Sequence, residues 1–438
     1  MSQTTQNTRL IRMEGGYPLE GTVRIQGSKN ATLPVMAACL LVSDKCVLRG
    51  CPQITDVMYM GTLIKSTGAK VEQTMGVNGM DIVIESTDIQ ECRLPSRYVS
   101  AMRSSVILMG ALLGRLGEVY VDYPGGCVIG ERPINLHLYG LEKLGAQIWT
   151  EGNHIHAYAD ELIGTEIRFP FSSVGATQNT ILAAVTAKGT TVIWNAAKEP
   201  EVTALCAFLN QAGADIRIHK DFMESGKIVI HGVELCRLHG VDYCVVPDRI
   251  VAGTYLFAAL AAGGNITLEN IPISHLDSVC EVITGMGGIF SYHADNNSLT
   301  LYAPNRSELR NISYIETDIY PGFPTDLQSP LLAAACVANG KLMIKEKIFS
   351  SRFKIIEELQ RMGADIAVTS EECAIVTGVS TLESRNVIAK ELRGGAALVI
   401  AGLAAEGITT VSDICYINRG YQDIAGDFAK LGARISYD

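Results

Sequence analysis

The tetrad Gly68-Ala69-Lys70-Val71 returns as Gly145-Ala146-Gln147-Ile148, Gly213-Ala214-Asp215-Ile216, Gly363-Ala364-Asp365-Ile366 and Gly432-Ala433-Arg434-Ile435. A weaker copy, Gly287-Gly288-Ile289-Phe290, fills the remaining gap. The interval is roughly 70 residues, longer than a solenoid repeat, so each period holds a small βα module. Glycine directly after a helix is a C-cap that turns the chain into the next strand. The helix ahead of it is clearest at Ile355–Met362, where apolar residues recur at helical spacing.

Upstream in each period lies a strand-like run, such as Gly189–Trp194 or Gly407–Val411. Ahead of that run comes a helix of small and aliphatic residues. The six are Ala31–Leu41, Ser104–Leu113, Ala176–Ala187, Ala252–Ala262, Leu331–Ala338 and Ala396–Ala405. Helices apolar on every side belong inside, packed closely beneath the sheets. Six modules divide into two domains of three, residues 29–247 and residues 1–28 with 248–438, breaking near Val246-Pro247-Asp248. A strand over about Arg9–Gln26 is expected to complete the last module, which makes the second domain discontinuous and places an active site in a cleft between the halves.

The bulk properties agree with a globular enzyme. A chain of 438 residues exceeds one compact core. Its net charge of −10 argues against a nucleic-acid partner, although a few focused cations still admit small anions. No apolar run approaches the ~20 residues of a membrane span, and the first dozen residues lack a signal-peptide core, so a cytoplasmic protein is expected. The twelve cysteines form no CxxC pair and read as reduced thiols. Cys39, Cys206, Cys280 and Cys336 sit in apolar stretches and are expected to be buried small hydrophobes.

Polar residues gather where the small-residue helices begin: Lys29-Asn30, Arg103, Ser173-Val174-Gly175, Asp248-Arg249, Thr325-Asp326 and Arg393. A helix N-terminus carries free N–H groups and about half a positive charge, and added cations make an anion site. Asp248, Thr325 and Asp326 also fit plain N-caps, and Arg103 and Arg393 fit surface charges, although a cation at a helix start is locally unfavourable. A second signal is Pro124-Gly125-Gly126-Cys127-Val128-Ile129-Gly130-Glu131-Arg132-Pro133, a loop by its glycines and prolines. Cys127 there is either a loop cysteine without a role or a reactive thiol, lowered by Arg132 and acting as nucleophile or acid. His154 and His156 lack the further ligands that a metal site needs.

The stretches GSKNATLP, SAMRSSVILMGALL, PGGCVIGERP, SVGATQN, NAAKEPEV, VPDRIVAGT, PGFPTDLQ, ELRGGAALVIAGLAAEG and NRGYQDI span nearly the whole chain. Together they resemble the UDP-N-acetylglucosamine enolpyruvyl transferases (1-carboxyvinyltransferases), with PGGC and FPTD the specific motifs. The resemblance implies a two-domain inside-out α/β barrel of six βα repeats. It implies transfer of the enolpyruvyl group of phosphoenolpyruvate to UDP-N-acetylglucosamine in peptidoglycan precursor synthesis, without metal or organic cofactor, and inhibition by the epoxide fosfomycin.

By the same resemblance, Lys29, Arg132 and Arg419 hold the phosphate of phosphoenolpyruvate, and Arg352 and Arg393 its carboxylate side. Asn30 and Arg103 border the substrates. Asp326 is general base or orienter for the sugar hydroxyl, and Cys127 protonates the vinyl carbon. Arg132, Pro133, Ile134, Asn135 and Leu136, with Phe171 to Ser173, Val174 and the adjoining Gly175, meet the uridine and diphosphate, and Ile348 the sugar. The pattern departs at Asn135 (commonly Asp), Phe171 (Lys), Ser350-Ser351 (Glu-Asn), Glu391 (Asp) and Gly394-Gly395 (Ala-Ser).

Overall fold

A computed structural model describes residues 10–125, 130 and 132–438. Its strands form six separate sheets, five of four strands and one of three, and among the described residues no sheet closes into a barrel. The expected inside-out arrangement is thus built from separate sheets outside buried helices rather than from one closed sheet.

Each complete module follows one plan. An edge strand leads to a small-residue helix, then to a central strand parallel to the edge, an outer helix, and a two-strand hairpin whose second strand pairs antiparallel with the central strand. In the fifth module these are Tyr314–Glu316, Gln328–Ala335, Lys341–Lys345, Ile356–Arg361, Asp365–Ser370 and Cys373–Thr377. The tetrad glycine sits between the outer helix and the hairpin. All six have positive φ: +103° at Gly68, +101° at Gly145, +104° at Gly213, +106° at Gly287, +86° at Gly363 and +82° at Gly432. Only glycine takes that conformation without strain, which accounts for its return in every period.

The chain divides into two compact units, one of the residues up to Ile25 and Pro247–Asp438, the other mainly Gln26–Cys127 and Arg132–Val246. In the first, helices Arg249–Ala262, Gln328–Ala335 and Leu392–Ala404 pack on one another and bury nearly every residue. In the second, Leu108–Leu116 packs on Val174–Ala184, with Lys29–Ala38 alongside. Helices inside and sheets outside are what side chains this small permit, because Gly and Ala let helix backbones approach.

The N-terminal segment is two strands rather than one. Ile11–Gly15 lies between Gly407–Ser412 and Arg434–Tyr437 and completes the sixth module. Leu19–Arg24 pairs in parallel with Gly264–Glu269 as the edge of the fourth. Gly16, with φ +87°, and Pro18, without an N–H, break the run between them. In the other unit, Asp242–Cys244 returns to pair with Lys45–Cys51 of the first module. Each unit is thus closed by a strand from the far end of its own sequence.

Two small-residue helices start less regularly than their composition implies. A 3-10 turn at Arg103–Ile107 precedes Leu108–Leu116, and another at Thr325–Leu327 precedes Gln328–Ala335. Of the four cysteines expected in the core, Cys39, Cys206 and Cys336 are buried, while Cys280 is half-buried on an outer helix. Among the described residues no helix is long and apolar enough to cross a membrane.

Candidate active site

In the unit holding residues 247–438, Asp326, Arg352 and Arg393 meet. They come from the 3-10 turn before Gln328–Ala335, the 3-10 turn Arg352–Ile355 and the first turn of Leu392–Ala404. Arg352 Nη2 pairs with Asp326 Oδ1, and Arg393 Nη2 donates to Oδ2 at 3.1 Å. Both arginine side chains are at most 5% exposed. Burial alone pushes the Asp326 carboxyl up, but Arg393 and Arg352 outweigh it and hold the group well below the usual carboxylate range.

Arg393 also meets Tyr421, with which it shares a side-chain hydrogen bond. Its guanidinium lies 5.6 Å from the Tyr421 ring centre, and Tyr421 shares a 2.8 Å hydrogen bond with Thr254. Its Nη1 is buried without a hydrogen-bond acceptor among the described residues. A desolvated N–H of this kind is costly while it lacks an acceptor.

Glu391, which the sequence reading took only as a departure from the family pattern, caps Leu392–Ala404. It accepts from the backbone N–H of Arg393 at 2.7 Å and from that of Gly394. It also stands 3.7 Å from Arg352 Nη1. The Arg419 turn, Ile417–Arg419, packs on the same helix start, where a Cβ on Gly395 would lie 2.7 Å from Ile417 Cγ1. Ile348 is partly exposed on the turn before Arg352. Asp248 takes the plainer of its two readings, an N-cap accepting from Ile250 N at 2.9 Å and Val251 N at 3.1 Å. Thr325 and Asp326 do not cap by side chain.

The other unit gathers a second set. Arg103 Nη2 donates to the carbonyl of Pro133 at 3.1 Å, tying two of the predicted segments together. The third joins through His137, on helix Asn135–Lys143: a Cβ on Gly175 would lie 2.8 Å from its ring. Ser173 caps the helix that carries Val174 and Gly175. Ile134 and Leu136 are buried, whereas Arg132, Pro133 and Asn135 are exposed. Lys29 and Asn30 open helix Lys29–Ala38, capped by Ser28, and Lys29 Nζ reaches Asp56 at 2.6 Å. Cys127 lies outside the described residues.

His137 was missed by sequence reasoning. Asn179 fixes its tautomer: Oδ1 accepts from Gly110 N at 2.6 Å, so the amide NH2 donates to Val106 O and to His137 Nδ1, both at 3.2 Å. The ring proton therefore sits on Nε2. Burial, with Arg103 and Arg132 adding, pushes the imidazole down to about 3, so it stays neutral between two cations. No spacing rule marks it; its lone signal is a position five residues beyond Arg132.

The sequence model of the EPSP synthase (3-phosphoshikimate 1-carboxyvinyltransferase) family matches residues 13–428. UDP-N-acetylglucosamine 1-carboxyvinyltransferase 1 of Symbiobacterium thermophilum is 43% identical over 98% of this chain and 95% of its own. The chain belongs to this family. A second UDP-N-acetylglucosamine 1-carboxyvinyltransferase, from Hydrogenovibrio crunogenus, is 42% identical over 97% of this chain and 98% of its own. Among solved structures, the enolpyruvyl transferase NikO from Streptomyces tendae superposes with a TM-score of 0.86 at 23% identity, covering 98% of this chain and 99% of its own. EPSP synthase from Acinetobacter baumannii gives 0.72 at 19%, covering 98% and 100%. At such identities the two structures speak for the fold alone, and they place this carboxyvinyltransferase chain in the enolpyruvyl transferase fold.

Proposed function

We propose that this protein transfers the enolpyruvyl group of phosphoenolpyruvate to the 3'-hydroxyl of UDP-N-acetylglucosamine, releasing phosphate, in peptidoglycan precursor synthesis in the cytoplasm. The partly exposed Asp326 held between the buried Arg352 and Arg393 carries the reading, in a chain 43% and 42% identical to relatives of that name.

Addition of the sugar hydroxyl to the enol carbon needs a proton acceptor, and the methylene needs a proton. Asp326 orients the hydroxyl and accepts its proton. Clamped by two guanidinium groups it is a weak base, and it gains basicity when the substrate carboxylate draws on Arg352 and Arg393. Cys127 supplies the proton to the methylene. The tetrahedral adduct carries phosphate and carboxylate; Lys29, Arg132 and Arg419 stabilise the phosphate, and Arg352 and Arg393 the carboxylate. Loss of phosphate returns the vinyl ether. Arg103, Asn30, Pro133 to Leu136, Ser173 to Gly175 and Ile348 hold the nucleotide sugar. The reaction asks for no metal or organic cofactor.

Mass spectrometry after exposure to phosphoenolpyruvate or fosfomycin tests the thiol. An adduct on Cys127, and a Cys127→Asp variant that turns over yet resists fosfomycin, support the acid role. Turnover abolished by Cys127→Asp in a folded protein removes it.

A further inference from the structure

We propose that Glu346 is a positioning residue for Arg352, acting through the hydroxyl of Thr325. Glu346 directly follows strand Lys341–Lys345 and is 1% exposed. Its Oε1 faces Thr317 Oγ1 at 2.8 Å, Ile348 N at 2.9 Å and Phe349 N at 3.1 Å. Thr325 Oγ1 lies 3.0 Å from Oε2 and 3.1 Å from Oε1.

Counting protons settles the directions. Ile348 and Phe349 can only donate. The Thr317 hydroxyl accepts from Lys347 N at 3.0 Å, so its one proton goes to Glu346. Every neighbour of Glu346 is a donor, so its oxygens accept. Thr325 must then give its proton to Glu346, which leaves its lone pairs facing Arg352 Nε–H at 3.2 Å. The guanidinium is thereby fixed at Nε by Thr325 and at Nη2 by Asp326. The same carboxylate pins the turn Lys347–Phe349 that leads into Arg352, so the orientation and the anchorage of this arginine share one origin.

What Arg352 binds rests on the function proposed above; how it is held does not. Steady-state kinetics on Thr325→Val, Thr325→Ser, Glu346→Gln and the double variant Glu346→Gln/Thr325→Val test the proposal. Thr325→Val should raise KM for phosphoenolpyruvate about tenfold, the effect of one hydrogen bond to a charged group, and leave KM for the nucleotide sugar unchanged. Thr325→Ser should restore it, and the loss in the double variant should fall short of the product of the two single losses, because part of what Glu346 does for Arg352 passes through the Thr325 bond. A wild-type KM in Thr325→Val, or multiplying effects in the double variant, overturns the proposal. In the ligand-free protein, the nitrogen-edited proton resonance of Arg352 Nε–H, assigned by its loss in Arg352→Lys, should move in Thr325→Val and not in Thr325→Ser. An unmoved resonance overturns the proposal whatever the enzyme's substrates prove to be.

Discussion

A Cβ on Gly394 would stand 2.7 Å from Glu391 Oε1. The carboxylate is there because it caps helix Leu392–Ala404 through the N–H groups of Arg393 and Gly394. The family pattern has Asp and Ala at these two positions. A longer acid thus stands where a methyl would crowd it, so two of the departures read from the sequence touch each other.

Gly394→Ala alone should destabilise the protein by about 1–3 kcal/mol through overpacking, against the ~1 kcal/mol that alanine otherwise brings to a helix. Combining it with Glu391→Asp should recover most of the loss, read from urea unfolding midpoints. A Gly394→Ala protein more stable than the parent would contradict the pairing.

His137 makes stability depend on pH. Its folded value, about 3, lies below the ordinary 6.5, so the unfolded chain takes up the proton first. The contribution is complete above about pH 6.5 and is lost as pH falls, by about 2 kcal/mol down to about pH 4.5. His137→Gln, whose amide oxygen can still accept from Asn179, should flatten that slope in unfolding measured across the range. An unchanged slope would show that another group is responsible.

Asp326→Asn keeps the shape of the side chain but removes its charge and basicity. It should lower kcat ~10²-fold or more, in line with loss of a positioned proton acceptor. Asp326→Ala should in addition cost about 3 kcal/mol of stability, since it strands two buried guanidinium groups. Near-normal turnover by a folded Asp326→Asn protein would remove Asp326 from the chemistry.

The fold was legible because one backbone demand, positive φ after each outer helix, recurs six times as glycine. The buried helices were legible from composition. The return of the N-terminal strand to the sixth module was legible too, whereas the pairings of Leu19–Arg24 and Asp242–Cys244 were not, because their partners lie far along the chain. At the site, Asp326 and Arg393 stood out as charges at helix starts. Glu346, His137 and Asn179 did not, since a buried polar residue shows its worth only in its hydrogen bonds. Arg352, drawn from the resemblance, is placed by contacts that no local pattern encodes.

Phosphate release from phosphoenolpyruvate, measured with UDP-N-acetylglucosamine and separately with shikimate 3-phosphate, tests the central claim most directly. The account predicts release with the nucleotide sugar, none with shikimate 3-phosphate, and loss of release in Arg393→Ala. Release with shikimate 3-phosphate alone, or with neither acceptor, would contradict it.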